Sequence, residues 1–218
     1  MSIRFRFDED RVIPVPDGLS TQQQQDDWRE QAASDFLARW ADTKRTVHPH
    51  LVEHLDGVLA GAVERARDGR SVAVVLDPEQ GFAGQLNILY TPDAVADPVV
   101  NDFLAPARSR VYPNPHLVDS EGLGAGVSTT SIQPGEGDGE GEGAAKDAGF
   151  RRWFFPGENG SVAAFLGPVN PYTLAFLQEP AHELLVTTTI DGFTAASGTK
   201  TVQELVERLT HRMEEWQP

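Results

Sequence analysis

The chain has 218 residues, 39% of them hydrophobic, no cysteine, and 33 Asp and Glu against 18 Lys and Arg, a formal charge of −15. Without cysteine there are no disulfides, thiolate nucleophiles or cysteine-ligated metals, and the charge repels a phosphate backbone, so nucleic acid is not an expected partner. The apolar runs fall far short of the roughly 20 residues of a membrane helix, and the first residues lack the apolar stretch of a secretory signal; a cytoplasmic address and no membrane partner are expected.

Ile3, Phe5 and Phe7 alternate with Ser2, Arg4 and Arg6, the period of two of a half-buried strand. After Pro14 and Pro16, Ser20 and Gln23 form a capping-box signature. Trp28, Ala32, Phe36, Leu37 and Trp40 then make one apolar stripe on a helix of about five turns. A second helix is predicted after the "HPH" run, with Leu51, Leu55, Val58, Leu59, Ala62, Val63 and Ala66 on one side and Gly69 placed to stop it. Two successive helices with one apolar stripe each predict a pair that covers a sheet.

The run "SVAVVL" at 71–76 and the alternation in "GQLNILYT" are joined by "DPEQGFAG", which predicts a β-hairpin. Asp97-Pro98 reads as an N-cap and first helical residue, opening a short helix over "VVNDFLA". "SRVYPNPHLV", "GAGVSTTSI", "FRRWFF" and "SVAAFLGPV" read as strands, the last two paired through "PGENG". Asn170-Pro171 caps another short helix, which Pro180 is expected to end or bend. "LLVTTTI" reads as a late strand. Thr201 and Glu204 suggest a capping box for a closing helix with Val202, Leu205, Val206, Leu209, Met213 and Trp216 on one stripe. Residues 133–149, where glycine alternates with Glu136, Asp138, Glu140 and Glu142, have nothing to bury and are expected to form a flexible acidic loop. The whole is an expected single α+β domain over 1–218, with a twisted, mostly antiparallel sheet covered by helices.

The sharpest chemical cluster is "HPHLVEH". His50 and His54 are four apart at the start of a helix and so share a face. That is a spacing by which helical histidines hold zinc, and His48 or Glu53 would be the third ligand. The candidate metal ligands are therefore His48, His50 and His54, and zinc is the one cofactor the sequence suggests. The metalloprotease motif is not present, because no Glu directly follows the first His. The acidic loop lacks the ligand order of a calcium-binding loop. "EGLGAG" leads into β-formers where a dinucleotide fingerprint must open a helix. There is no Walker A or G-x-S-x-G pattern, and "SGTK" at 197–200 matches S-x-x-K by letters alone, so it reads as a linker.

"FRRWFF" places Arg151, Trp153 and Phe155 on one face of a strand and Phe150, Arg152 and Phe154 on the other. Either both faces are covered, with Trp28 and Trp40 available as cover, or Arg151, Trp153 and Phe155 form a surface for a partner.

From 71 to 190 the element order resembles the PsbP-like α/β/α sandwich: the strand "GQLNILYTP", the helix "DPVVNDFLA", strands through "GVSTTSI", "RRWFF" and "SVAAFLGP", a helix, and the strand "LLVTTTI". The two helices before residue 71 and the closing helix depart from that pattern. The resemblance implies a binding or assembly role and carries no active site with it. The alanine-, aspartate- and arginine-rich composition is similar to that of actinobacterial cytoplasmic proteins. The expected function is a non-enzymatic binding or accessory module that contacts a protein partner or a second copy of itself. The alternative is a metal-dependent hydrolase built on His48, His50 and His54. A third reading, an acidic mimic that occupies a nucleic-acid-binding protein, rests on the charge of −15 alone.

Overall fold

Every apolar run in this chain is too short to stand alone, and most of them pair side by side. The computed structural model describes residues 2–43, 45–66, 70–134, 147–197 and 200–216. In chain order these form β1 (Ile3–Arg4), β2 (Val12–Pro14), α1 (Gln22–Asp42), α2 (Pro49–Ala66), β3 (Ser71–Asp77), β4 (Phe82–Thr91) and α3 (Asp97–Leu104). There follow β5 (His116–Ser120), β6 (Gly124–Gln133), β7 (Ala148–Gly157), β8 (Gly160–Val169), α4 (Pro171–Val186), β9 (Thr189–Ile190) and α5 (Lys200–Glu215). Seven strands make one antiparallel sheet in the order β2-β3-β4-β8-β7-β6-β5, and β1 pairs with β9 in a separate two-stranded ribbon. The fold class is α+β.

Register decides which helix covers what. Val72, Val74 and Leu76 lie opposite Asn87, Gln85 and Ala83, and the same face continues through Phe165, Arg152, Phe154 and Val127. At the β3 end of this face, α1 and α2 bury Phe36, Trp40, Leu51, Leu55, Leu59 and Val63. At its β6–β7 end, α3 and α5 bury Val100, Leu104, Val202, Leu205 and Leu209 against Val127 and Phe154. The opposite face carries the largest core, in which α4 lays Leu174, Leu177, Ala181, Leu184 and Leu185 over Leu86, Ile88, Trp153, Phe155, Val162 and Leu166.

Several expectations need correcting. The capping box of α1 is one residue later than read: Thr21 Oγ1 accepts from the Gln24 amide, and Gln24 Oε1 accepts from the amides of Ser20 and Thr21. At α3 the N-cap is Ala96, with no side-chain bond, because the Asp97 carboxylate is turned to Arg208 of α5 at 2.9 Å. Of the "SRVYPNPHLV" segment only 116–118 are strand, the start of His116–Ser120; Pro113 and Pro115 lack the amide hydrogens a ladder needs. Pro180 does not end its helix, and the first three residues of the expected strand "LLVTTTI" belong to the last turn of α4, leaving only Thr189–Ile190 as strand. One turn missing a hydrogen bond at proline costs about 3 kcal/mol, whereas each leucine buried on that stripe returns about 1.5–3 kcal/mol. Thr201 lies inside α5, which begins at Lys200.

Strand β6 runs to Gln133 and β7 begins at Ala148, so the expected acidic loop of 133–149 is shorter at both ends; residues 135–146, and Gly69, lie outside the described residues. Among the described residues no helix is long and apolar enough to cross a membrane.

Candidate functional site

The approach to α2 is organised by His48. Its Nδ1 accepts from the His50 amide at 3.2 Å, satisfying one of the orphan donors of the first turn, and its own amide donates to Pro78 O at 2.8 Å. The ring lies over Gly81, where a Cβ would come within 2.7 Å of Nδ1. His48 therefore joins the helix to the β3–β4 turn.

One helical turn on, the ligand atoms of His50, Glu53 and His54 come within 4.8 Å of one another, and all three residues are exposed. Of the three expected histidine ligands, His50 and His54 are brought together, Glu53 joins them as third donor, and His48 is occupied at the cap. The two rings are 4.2 Å apart between centroids and inclined at 46°. His54 Nδ1 lies 2.9 Å from His50 O. With Nδ1 as the donor of that bond, Nε2 keeps its lone pair for a ligand, the outer-shell arrangement that orients metal-binding imidazoles. Zinc–nitrogen bonds of about 2.0–2.1 Å place tetrahedral ligands about 3.4 Å apart, so side-chain rotation has to draw this set inwards.

Strand β7 is covered on both sides. Trp153 and Phe155 are 0% and 1% exposed beneath α4, and Phe154 is 7% exposed beneath α3 and α5. The partner surface expected at Arg151, Trp153 and Phe155 thus reduces to one half-exposed side chain, Arg151. Trp28 and Trp40 do not supply the cover; they pack with α2 over β2 and β3, where Trp40 Nε1 donates to Asp10 O at 3.0 Å.

The two arginines of β7 lie on opposite faces of the sheet, and burial lowers the pKa of both. Arg152 is 7% exposed, donates to Ser131 Oγ, and lies against the rings of Phe103 and Phe150. Burial pushes its pKa down to about 10. Arg151 donates from Nη1 to Thr130 Oγ1 and from Nη2 to Ser128 Oγ, both at 2.7 Å, and its guanidinium carbon is 5.8 Å from the Trp153 ring centroid. His182, on α4, is near enough to feel the Arg151 charge. Burial and then the Arg151 charge push the His182 pKa below its ordinary 6.5, against an opposing pull from Glu183.

Sequence reading missed Ser128, Thr130 and His182 as neighbours of Arg151. The alternation in "VSTTSI" places Ser128 and Thr130 on one face, but the pairing of β6 with β7 is needed to put Arg151 beside them.

A histidine harder to protonate in the folded chain than in the unfolded one binds its proton preferentially when unfolded. The His182 contribution is therefore intact above a pH of about 6.5 and is lost as pH falls from there through the lowered folded value. In thermal melts at about pH 7.5 and about pH 5.5, His182→Gln is expected to show a smaller acid-induced drop in Tm than the unmodified chain. Equal drops would place the acid sensitivity elsewhere.

Comparisons with protein-family models, with curated proteins and with solved structures find no match to this chain.

Proposed function

We propose that this chain is a non-enzymatic binding module whose contact with a protein partner, or with a second copy of itself, is made through a divalent metal at the first turns of α2. The observation that supports this is the convergence of two imidazoles and one carboxylate, all exposed, on one helical turn. Three protein ligands leave a tetrahedral zinc with one position open. A catalytic metal uses that position inside a dry, shaped cavity. Here all three ligands face solvent, so the open position is best placed to take a side chain from another surface, and the hydrolase alternative is the weaker reading. The binding role is also what the resemblance to PsbP-like sandwiches implies. A formal charge of −15 favours recruitment of a cation.

Untagged protein equilibrated with zinc and then desalted is expected to retain one equivalent of metal, and His50→Ala/His54→Ala to retain none. The double variant is expected to melt within about 0.5 kcal/mol of the unmodified chain, as exposed substitutions do. Sedimentation of the zinc-loaded protein, alone and with captured partners, then reads whether the metal is needed for association. A site that stays empty in zinc-supplemented buffer refutes the proposal.

A further inference from the structure

Arg151, on the α4 side of β7, has no carboxylate partner of the kind that several exposed arginines of this acidic chain have. Arg4, Arg6, Arg29, Arg110 and Arg208 lie 2.5–3.0 Å from the carboxylates of Asp191, Glu121, Asp26, Asp147 and Asp97. Arg151 is held by two hydroxyls and an aromatic face, and among the described residues no carboxylate lies within ion-pair distance of it. With 33 acidic residues against 18 basic ones, a carboxylate for this position was readily at hand. A guanidinium has five N–H donors in a planar fork shaped for an oxyanion, and Ser128 and Thr130 take only two of them. The two hydroxyls accept from Arg151 and keep their own hydrogens to donate.

Around this group most of the other polar atoms suit an anion, the Glu183 carboxylate beside His182 being the exception. His182, on α4, is half-buried. His116 is opposite Ser128 in the β5–β6 register, on the same face of the sheet. Trp153, against which Arg151 stacks, is fully buried, and its Nε1 donor has no partner. Arg152 is the informative contrast. It too has no carboxylate, but it is enclosed by Phe103 and Phe150 and all but sealed from solvent. Arg151 is half-buried and keeps part of its surface in solvent.

We infer that Arg151, with Ser128, Thr130 and His182, forms a binding site for a single small oxyanion group, a carboxylate or a phosphate, on the α4 side of the sheet. This site is independent of the metal ligands on α2, and either can fail without the other. The anion adds the countercharge that Arg151 lacks, in a setting where a charge-assisted, bidentate pair is screened less than at the surface.

The test is titration of the full chain with sodium phosphate and with sodium acetate, each against sodium chloride at matched ionic strength. Intrinsic tryptophan fluorescence and thermal unfolding are the readouts. At least one of the two oxyanions is expected to give a saturable fluorescence change and a rise in Tm beyond that of chloride. Which one does so separates a phosphate ligand from a carboxylate ligand. Arg151→Lys, which keeps the charge but loses the fork, is expected to bind at least tenfold more weakly, and Arg151→Met to show no saturable change. Arg6→Met, which removes a surface cation far along the sequence, is expected to bind as the unmodified chain does. Should Arg151→Met fail to fold, Thr130→Val, which frees one donor without touching the charge, supplies a second comparison, with altered affinity expected. The inference is overturned if neither oxyanion exceeds chloride, or if Arg151→Lys and Thr130→Val both bind unchanged.

Discussion

Truncating Trp153 to alanine is expected to remove about 3–5 kcal/mol of folding stability, as large aromatic deletions in packed cores do. The residue is fully buried and shares its core with Leu86, Phe155, Ala164 and Leu166 of the sheet and with Leu177 and Leu184 of α4. It also gives Arg151 the ring it stacks on. For a domain whose total stability is about 5–15 kcal/mol, a loss of this size shifts the urea midpoint strongly while leaving the slope of the transition unchanged. Trp153→Phe separates packing from polarity. Its ring refills most of the space, and it removes a buried Nε1 that has no hydrogen-bond acceptor, a group whose burial costs about 1–3 kcal/mol. The expected result is a loss well under that of the alanine variant. If phenylalanine is as damaging as alanine, Nε1 has a partner in solution and the view of this core as polar-deficient is wrong.

What the sequence made legible follows from how local each signal is. The stripe of α2 and the hairpins β3–β4 and β7–β8 are written within 20 residues or so, and the periods of 3.6 and two pick them out directly. The segment after Pro171 misled for a physical reason. "LLVTTTI" is β-branched at its end and follows a proline, so local propensity favours a strand, while Leu174, Leu177, Ala181, Leu184 and Leu185 form a helical stripe that pays off only when a sheet is present to receive it. The one-residue displacement of the α1 cap has a similar cause: Ser20 and Thr21 both offer a hydroxyl, and it is the reach of Gln24 back to both amides that selects Thr21.

The two candidate sites divide along the same line. His50 and His54 are one turn apart on one helix, so their convergence follows from spacing alone. Glu53, weighed beside His48 as third ligand, is favoured because the His48 ring is used as a cap. The surroundings of Arg151 are non-local. Ser128 and Thr130 come from β6, on the far side of residues 135–146, and His182 from a helix whose length was misjudged. In the sequence, "FRRWFF" looks like a sticky strand; in the fold Trp153, Phe154 and Phe155 are core, while Phe150 and Arg151 remain partly exposed.

The β7–β8 turn is expected to tolerate no side chain at Gly160. That residue has φ +138°, a conformation L residues rarely adopt, and a Cβ there would overlap Thr91 O and approach Pro92 Cα to 3.0 Å. The backbone strain alone is worth about 1–3 kcal/mol, and displacing a neighbouring main chain adds about 1–3 kcal/mol. The turn has no slack to give, because three hydrogen bonds with Tyr90 and Thr194 hold it. Tyr90 Oη donates to Asn159 O at 2.9 Å, the Thr194 amide donates to Asn159 Oδ1 at 2.8 Å, and the Glu158 amide donates to Thr194 O at 2.9 Å. Gly160→Ala is therefore expected to rank with Trp153→Ala in urea unfolding. Gly57→Ala is its counterpart. Gly57 is exposed in the interior of α2 with nothing within 4 Å of an added Cβ, so alanine should stabilise by about 0.5–1 kcal/mol through the entropy of the unfolded chain. The opposite signs matter, because any general effect of Gly→Ala on the unfolded state acts on both variants alike. If Gly160→Ala also stabilises, the turn does not sit against Thr91, and the hairpin that sets the register of Arg151 and Trp153 is looser than its hydrogen bonds imply.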